Sequence, residues 1–268
     1  MKSIPGLWDL SGQLTNGMKE NRKNGKTERL SISAMKIKGI QKTTLIDYPG
    51  KIACTLFLFG CNFRCGFCHN PELVIKEEVQ DIDEKEILNF LEKRKGKLEG
   101  VCITGGEPFL TLDKNFIKKI KEKGYFVKID TNGSFPEKLK DFIDEKLIDY
   151  VAMDLKNEKE KYFETIGKET NLKKIEESIK LIIDSELDYE FRTTVVYSLH
   201  SEKELEQLGK WIVELLEKKP KKYCLQGFVN NGKFNDGKFK KEKDFSKEKL
   251  EKLKKIAEKY FEKVEIRG

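Results

Sequence analysis

The chain has 268 residues, 38% of them hydrophobic and 37% charged, and its 53 basic and 46 acidic side chains give a formal net charge of +7. Apolar content on that scale supports a core beneath a charged surface and excludes a disordered chain, and the near-balanced signs do not indicate a nucleic-acid partner. No apolar run approaches the ~20 residues of a membrane span, and the start, MKSIPGLWDL, lacks a charged segment leading into an apolar one, so a cytoplasmic protein is expected.

Residues 1–34 carry Gly, Ser, Asn and Thr without apolar periodicity and read as a flexible extension, with Met35 as an alternative start; residues 35–268 read as one domain. Within it, β-rich runs alternate with Lys/Glu-rich stretches of helical spacing. In chain order, the strand IACTLFLF (52–59) precedes the helix DEKEILNFLEKRKGK (83–97), and GVCITGG (100–106) precedes LDKNFIKKIKEKG (112–124). YFVKIDTNG (125–133) then leads to PEKLKDFIDEKL (136–147), and YVAMDLK (150–156) to NLKKIEESIKLIIDSE (171–186). YEFRTTVV (189–196) leads to SEKELEQLGKWIVELLEKK (201–219), and KYCLQGFV (222–229) to SKEKLEKLKKIAEKYFEK (246–263). The final VEIRG reads as a short strand or a packed tail. Six such units imply parallel strands joined by right-handed helical crossovers. An open doubly wound sheet and an incomplete barrel are both compatible, and in each, ligands gather at the C-terminal ends of the strands.

The unusual residues fall at those ends. Cys61, Cys65 and Cys68 form C-x-x-x-C-x-x-C after the first strand, too tight for a disulfide framework, and so point to metal or redox chemistry. Three thiolates on one loop can hold three irons of a cubane cluster and leave the fourth iron open to a ligand. A zinc site using His69 lacks the usual paired spacing, and a dithiol pair at Cys65 and Cys68 would leave Cys61 idle. Cys54, Cys102 and Cys224 lie in apolar runs and read as buried small hydrophobes.

The cysteine motif followed by GGEP (105–108) resembles the radical S-adenosylmethionine (SAM) superfamily. TLIDYPGK (44–51), GCNFRCGFCHNPEL (60–73), DTNG (130–133) and MDLK (153–156) narrow the resemblance to glycyl-radical-enzyme activating enzymes, including anaerobic ribonucleotide reductase activators and pyruvate formate-lyase activating enzymes. It runs from about residue 36 to the C-terminus. The resemblance implies an α/β fold, a partial (β/α)6 TIM-like barrel, with a 4Fe-4S cluster and SAM as cofactors. It implies reductive cleavage of SAM to a 5'-deoxyadenosyl radical that takes hydrogen from a glycine of a partner glycyl-radical enzyme. The electron would come from a low-potential donor such as flavodoxin or ferredoxin. Two alternatives are a radical SAM enzyme acting on a small molecule, similar to 7-carboxy-7-deazaguanine synthase, and a non-enzymatic iron-sulfur electron carrier.

On this resemblance Gly105 and Gly106 bring backbone close to SAM, and Glu107 accepts a hydrogen bond from its ammonium. Asp130, Thr131 and Asn132 contact ribose or methionine, or merely close a turn. Phe67 and His69 lie against the adenine beside Cys68, with helix-start packing as the alternative for His69. Arg192 meets either the SAM carboxylate or an internal Asp; Lys156 makes an anionic contact or pairs with Asp154. His200 matches a SAM-contacting position or is an exposed loop histidine.

Overall fold

The computed structural model describes residues 35–74 and 80–267, so the expected extension over 1–34 lies outside the described residues. Eight strands form one sheet in sequence order: β1 Ile37–Thr44, β2 Ala53–Leu58, β3 Gly100–Gly105, β4 Phe126–Thr131, β5 Tyr150–Asp154, β6 Asp188–Val195, β7 Lys222–Gly227 and β8 Lys263–Arg267. β1 runs antiparallel to β2, and every later neighbour is parallel. The six expected strands are β2 to β7. The sheet exceeds them at both edges, because VEIRG does add a strand and IKGIQKTT pairs with β2. The helices are α1 Glu84–Lys93, α2 Pro108–Thr111, α3 Lys114–Glu122, α4 Pro136–Asp144, α5 Tyr162–Ile166, α6 Leu172–Asp184, α7 Glu202–Leu216 and α8 Lys247–Ala257. Six coincide with the expected helices; α2 and α5 are single turns too short to show a period.

The strands carry two different faces. Val101, Ile103, Val127, Ile129, Val151, Met153, Phe191 and Leu225 join the helices' Leu91, Ile117, Phe142, Ile179 and Ile212 in one large core cluster. The residues between them, alternating by the two-residue period of a strand, are polar: Cys102, Thr104, Lys128, Asp130, Asp154, Glu190 and Arg192. The register sets Lys128 beside Tyr150, Asp130 beside Ala152, Ala152 beside Glu190, and Asp154 beside Arg192. One face therefore holds the helices, and the other forms a polar interior opening at the C-terminal strand ends.

Caps set where the helices begin. Asp83, Asp113 and Asn171 each accept a hydrogen bond from backbone N–H groups in the first turn of α1, α3 and α6. Ser201 and Glu204 form a capping box at α7.

Candidate functional site

The cysteine loop is fastened to its surroundings through its backbone. Gly60 donates its N–H to Leu73 O at 2.8 Å and accepts from Glu107 N–H at 2.7 Å, while Gly106 N–H donates to Leu58 O at 2.9 Å. This stitches the loop after β3 directly onto the exit of β2. A Cβ on Gly106 would lie 2.0 Å from Gly60 O, and one on Gly105, at φ +118°, would lie 2.4 Å from Leu58 O. Both glycines are thus required by close backbone approach. Arg64 folds its guanidinium back onto Cys61 O at 2.6 Å and Phe63 O at 2.8 Å. From the other side, Asn235 donates to Cys65 O and Asp236 N–H to Gly66 O, each at 3.0 Å.

Cys61, Cys65 and Cys68 all line one cavity of about 200 Å³. Burial pushes the Cys61 thiol up to about 12 and Cys65 up to about 11, and raises Cys68 as well; the Lys156 ammonium pulls against that at all three. Among the described residues no three His, Cys, Asp or Glu side chains close around a single ion. Three desolvated thiols sharing a cavity suit a polynuclear centre in which each thiolate has its own metal, and whose positive charge keeps them deprotonated. The donor set therefore fits a 4Fe-4S cluster with three cysteine ligands.

Ten of the twelve residues expected to contact the cofactor line this cavity: Phe67, Cys68, His69, Gly105, Gly106, Asp130, Thr131, Asn132, Lys156 and Arg192. His69 packs its ring 5.4 Å from Phe228 and 5.7 Å from Phe234, and its Nε2 is buried without a partner among the described residues. Phe67 meets Phe239 edge-on at 6.0 Å. Asn132 donates its amide to Asn62 Oδ1 at 3.0 Å, with Cys61 Sγ 4.0 Å away.

Arg192 meets two internal carboxylates. Its Nε donates to Asp154 Oδ1 at 3.0 Å and a terminal nitrogen to Asp130 Oδ2 at 3.3 Å. Asp154 also holds the Lys156 ammonium at 2.8 Å, and this attraction keeps Lys156 charged despite burial.

The other two expected residues do not line the cavity. Glu107 is 0% exposed and does not line the cavity. Its carboxylate accepts from Phe109 N–H at 3.1 Å, Thr131 Oγ1 at 2.9 Å and Asn132 N–H at 2.6 Å, so its acceptors are used in clamping the ends of β3 and β4 together. Burial pushes the carboxyl up to about 7 against those three donors. His200 is buried rather than exposed and also lies off the cavity; Nδ1 accepts from Val196 N–H at 3.1 Å, and Nε2–H donates to Lys156 O at 2.8 Å. It supports the backbone of Lys156 from behind.

Thr194, two residues beyond Arg192 on the same strand face, lines the cavity as well. Sequence reading missed Asn235, which also lines it. Asn235 comes from the long loop after β7, which has no periodicity to read.

The sequence profile of the Radical SAM superfamily matches residues 55–212. A protein of Methanocaldococcus jannaschii, itself provisionally named a glycyl-radical enzyme activating enzyme, is 36% identical over 239 residues, which is 86% of this chain and 95% of that one. The pyruvate formate-lyase-activating enzyme of Clostridium pasteurianum is 30% identical over 128 residues, 46% of this chain and 52% of that one. Among solved structures, Streptococcus suis SuiB superposes with a TM-score of 0.58 at 17% identity, over 78% of this chain and 47% of its own, a likeness of fold. The profile begins within β2, takes in the cysteine loop and ends within α7, and it includes every cavity-lining residue except Asn235. The chain belongs to the radical SAM superfamily.

Proposed function

We propose that this radical SAM enzyme is a glycyl-radical-enzyme activase, generating a radical from SAM and passing it to a glycine in a partner protein. The observation that carries the reading is the 36% identity to the Methanocaldococcus jannaschii protein, which extends along 86% of the chain. An open sheet, in which β1 and β8 end the strand order, supports a substrate delivered on a protein segment. Cys61, Cys65 and Cys68 would hold a 4Fe-4S cluster, which when bound would supply the electron for reductive cleavage of SAM.

The chain's own residues hold and orient. Gly105 and Gly106 let the backbone after β3 approach the ligand without a side chain in the way. Lys156, steadied by Asp154 through its ammonium and by His200 through its carbonyl, presents a positive charge to the SAM carboxylate. Asn132 and Thr131 offer polar groups to the ribose, and Phe67 and His69 offer an apolar surface to the adenine. A low-potential protein, flavodoxin or ferredoxin, supplies the electron, and a glycyl-radical enzyme such as anaerobic ribonucleotide reductase is the partner.

The test is to reconstitute the protein anaerobically, reduce it, and add SAM together with candidate glycyl-radical enzymes. A doublet electron paramagnetic resonance signal and one 5'-deoxyadenosine per radical are expected. SAM cleavage with no glycyl radical on any partner, but with turnover of a deazapurine precursor, overturns the assignment.

A further inference from the structure

Barrels built from βα units normally fill their interiors with branched apolar side chains. Here the interior carries a chain of charges. Lys128 is 1% exposed, and its ammonium contacts Asp130 Oδ1 and lies 3.7 Å from Cys102 Sγ. Asp130 in turn meets Arg192, Arg192 meets Asp154, and Asp154 meets Lys156. Three cations thus alternate with two carboxylates, and the sequence of contacts ends at the cavity. Glu190, deeper in the barrel, is already taken by Arg267 and Lys222, so it does not cancel the surplus.

A lone buried lysine sheds its proton. Burial works in that direction at Lys128, but Asp130 and Cys102 outweigh it and the ammonium stays charged. Asp130 already has Arg192, so neutralising Asp130 does not require a second cation. Lys128 is buried and does not line the cavity.

We propose that Lys128 is a positioning residue: a fixed interior cation that acts through Asp130 and Arg192 to keep the Lys156 ammonium available at the cavity wall for the carboxylate of a ligand. This rests on the reading of SAM as that ligand. By satisfying Asp130, Lys128 leaves Arg192 to bridge to Asp154, and Asp154 then holds Lys156 at the cavity wall without drawing it inward. With Lys128 removed, Asp130 competes for Arg192, Asp154 draws on Lys156 instead, and the carboxylate subsite becomes neutral.

The experiment compares two ligands on the anaerobically reconstituted protein by equilibrium binding. SAM carries a carboxylate; decarboxylated SAM keeps the adenosine, the sulfonium and the ammonium and lacks only that group. Lys128→Met is expected to weaken SAM on the order of tenfold, the effect of one unit charge several ångströms away in a partly screened interior, and not to weaken decarboxylated SAM. Lys128→Arg keeps the preference for SAM. In Lys128→Ala, methylammonium chloride restores SAM affinity, whereas tetramethylammonium chloride at equal ionic strength does not, since that ion is too large for the space vacated. Equal weakening of both ligands, or of neither, overturns the proposal, as does absence of rescue in a folded Lys128→Ala protein. Failure of the unsubstituted protein to bind SAM sinks the functional reading, and this proposal with it, before any variant is compared.

Discussion

At Gly106 an added methyl group would meet a carbonyl oxygen 2.0 Å away, on the residue that opens the cysteine loop. Gly106→Ala must therefore push the two loops apart. A loss of about 2 kcal/mol in urea unfolding is expected, together with reduced iron content after reconstitution. Replacing Cys61, Cys65 or Cys68 singly by Ala should abolish the iron-sulfur absorbance, whereas Cys54→Ala, buried outside the cavity, should keep it; iron and sulfide assays check both. Glu107→Gln would turn an amide N–H toward one of three buried donors, a mismatch worth about 1 to 3 kcal/mol, read as a lower urea midpoint at unchanged slope. The motif position of Glu107 was legible, but its partners Thr131 and Asn132 come from the next strand end, and sequence does not show which loop a carboxylate will turn toward. Lys128 escaped notice for a related reason: VKIDT reads as an ordinary alternating strand until the fold brings Arg192 of β6 across the small Ala152 of β5 to Asp130.

Helix α7 links local capping to the site. Its first turn is fixed by Ser201 and Glu204, which bond to each other through both the Ser201 N–H and its hydroxyl, and Glu204 also holds Lys161 at 2.8 Å. The residue just before the cap is His200, so the helix start sets the imidazole that supports Lys156. Ser201→Ala should cost about 1 kcal/mol and weaken SAM binding without removing any cavity residue, as calorimetric titration would show. Burial alone would raise the Glu204 carboxyl, but Lys161 and Ser201 outweigh it and hold the group at about 2, below its ordinary 4.5. Its folded-state pKa is depressed, so its contribution to stability is complete above about pH 4.5 and is lost as pH falls toward 2. In Glu204→Gln that part of the acid limb should flatten in urea titrations run across this range. The six long helices were readable because their apolar spacing and caps lie within each segment. β1 was not, since IKGIQKTT is half polar and, beyond its pairing with β2, makes a single bridge from Ile37 to Ile82.

Across the whole molecule, the sheet is tied at its β8 edge by an ion pair. Glu190 on β6 is 0% exposed and receives both terminal nitrogens of Arg267 on β8 at 2.6 Å, with Tyr150 OH at 3.1 Å. Arg267→Ala leaves that carboxylate with weaker partners, and a loss of about 2 to 3 kcal/mol is expected; Glu190→Gln combined with Arg267→Met should recover part of it in the same unfolding assay. The βα alternation revealed the fold class and the position of the site at the strand ends, because both follow from short-range pattern. The count of strands and the polar interior depend on pairing between distant segments, where the pattern is silent. The covering of the cysteine loop is the longest of these reaches: the bond from Asn235 to Cys65 O joins residues 170 positions apart. At about 5 to 20 residues per second of synthesis, the segment that covers the thiols is made roughly 10 to 30 s after them. During translation, then, the cysteines wait uncovered for that interval, and the loop can be closed over a cluster only once β7 and the turn beyond it have left the ribosome.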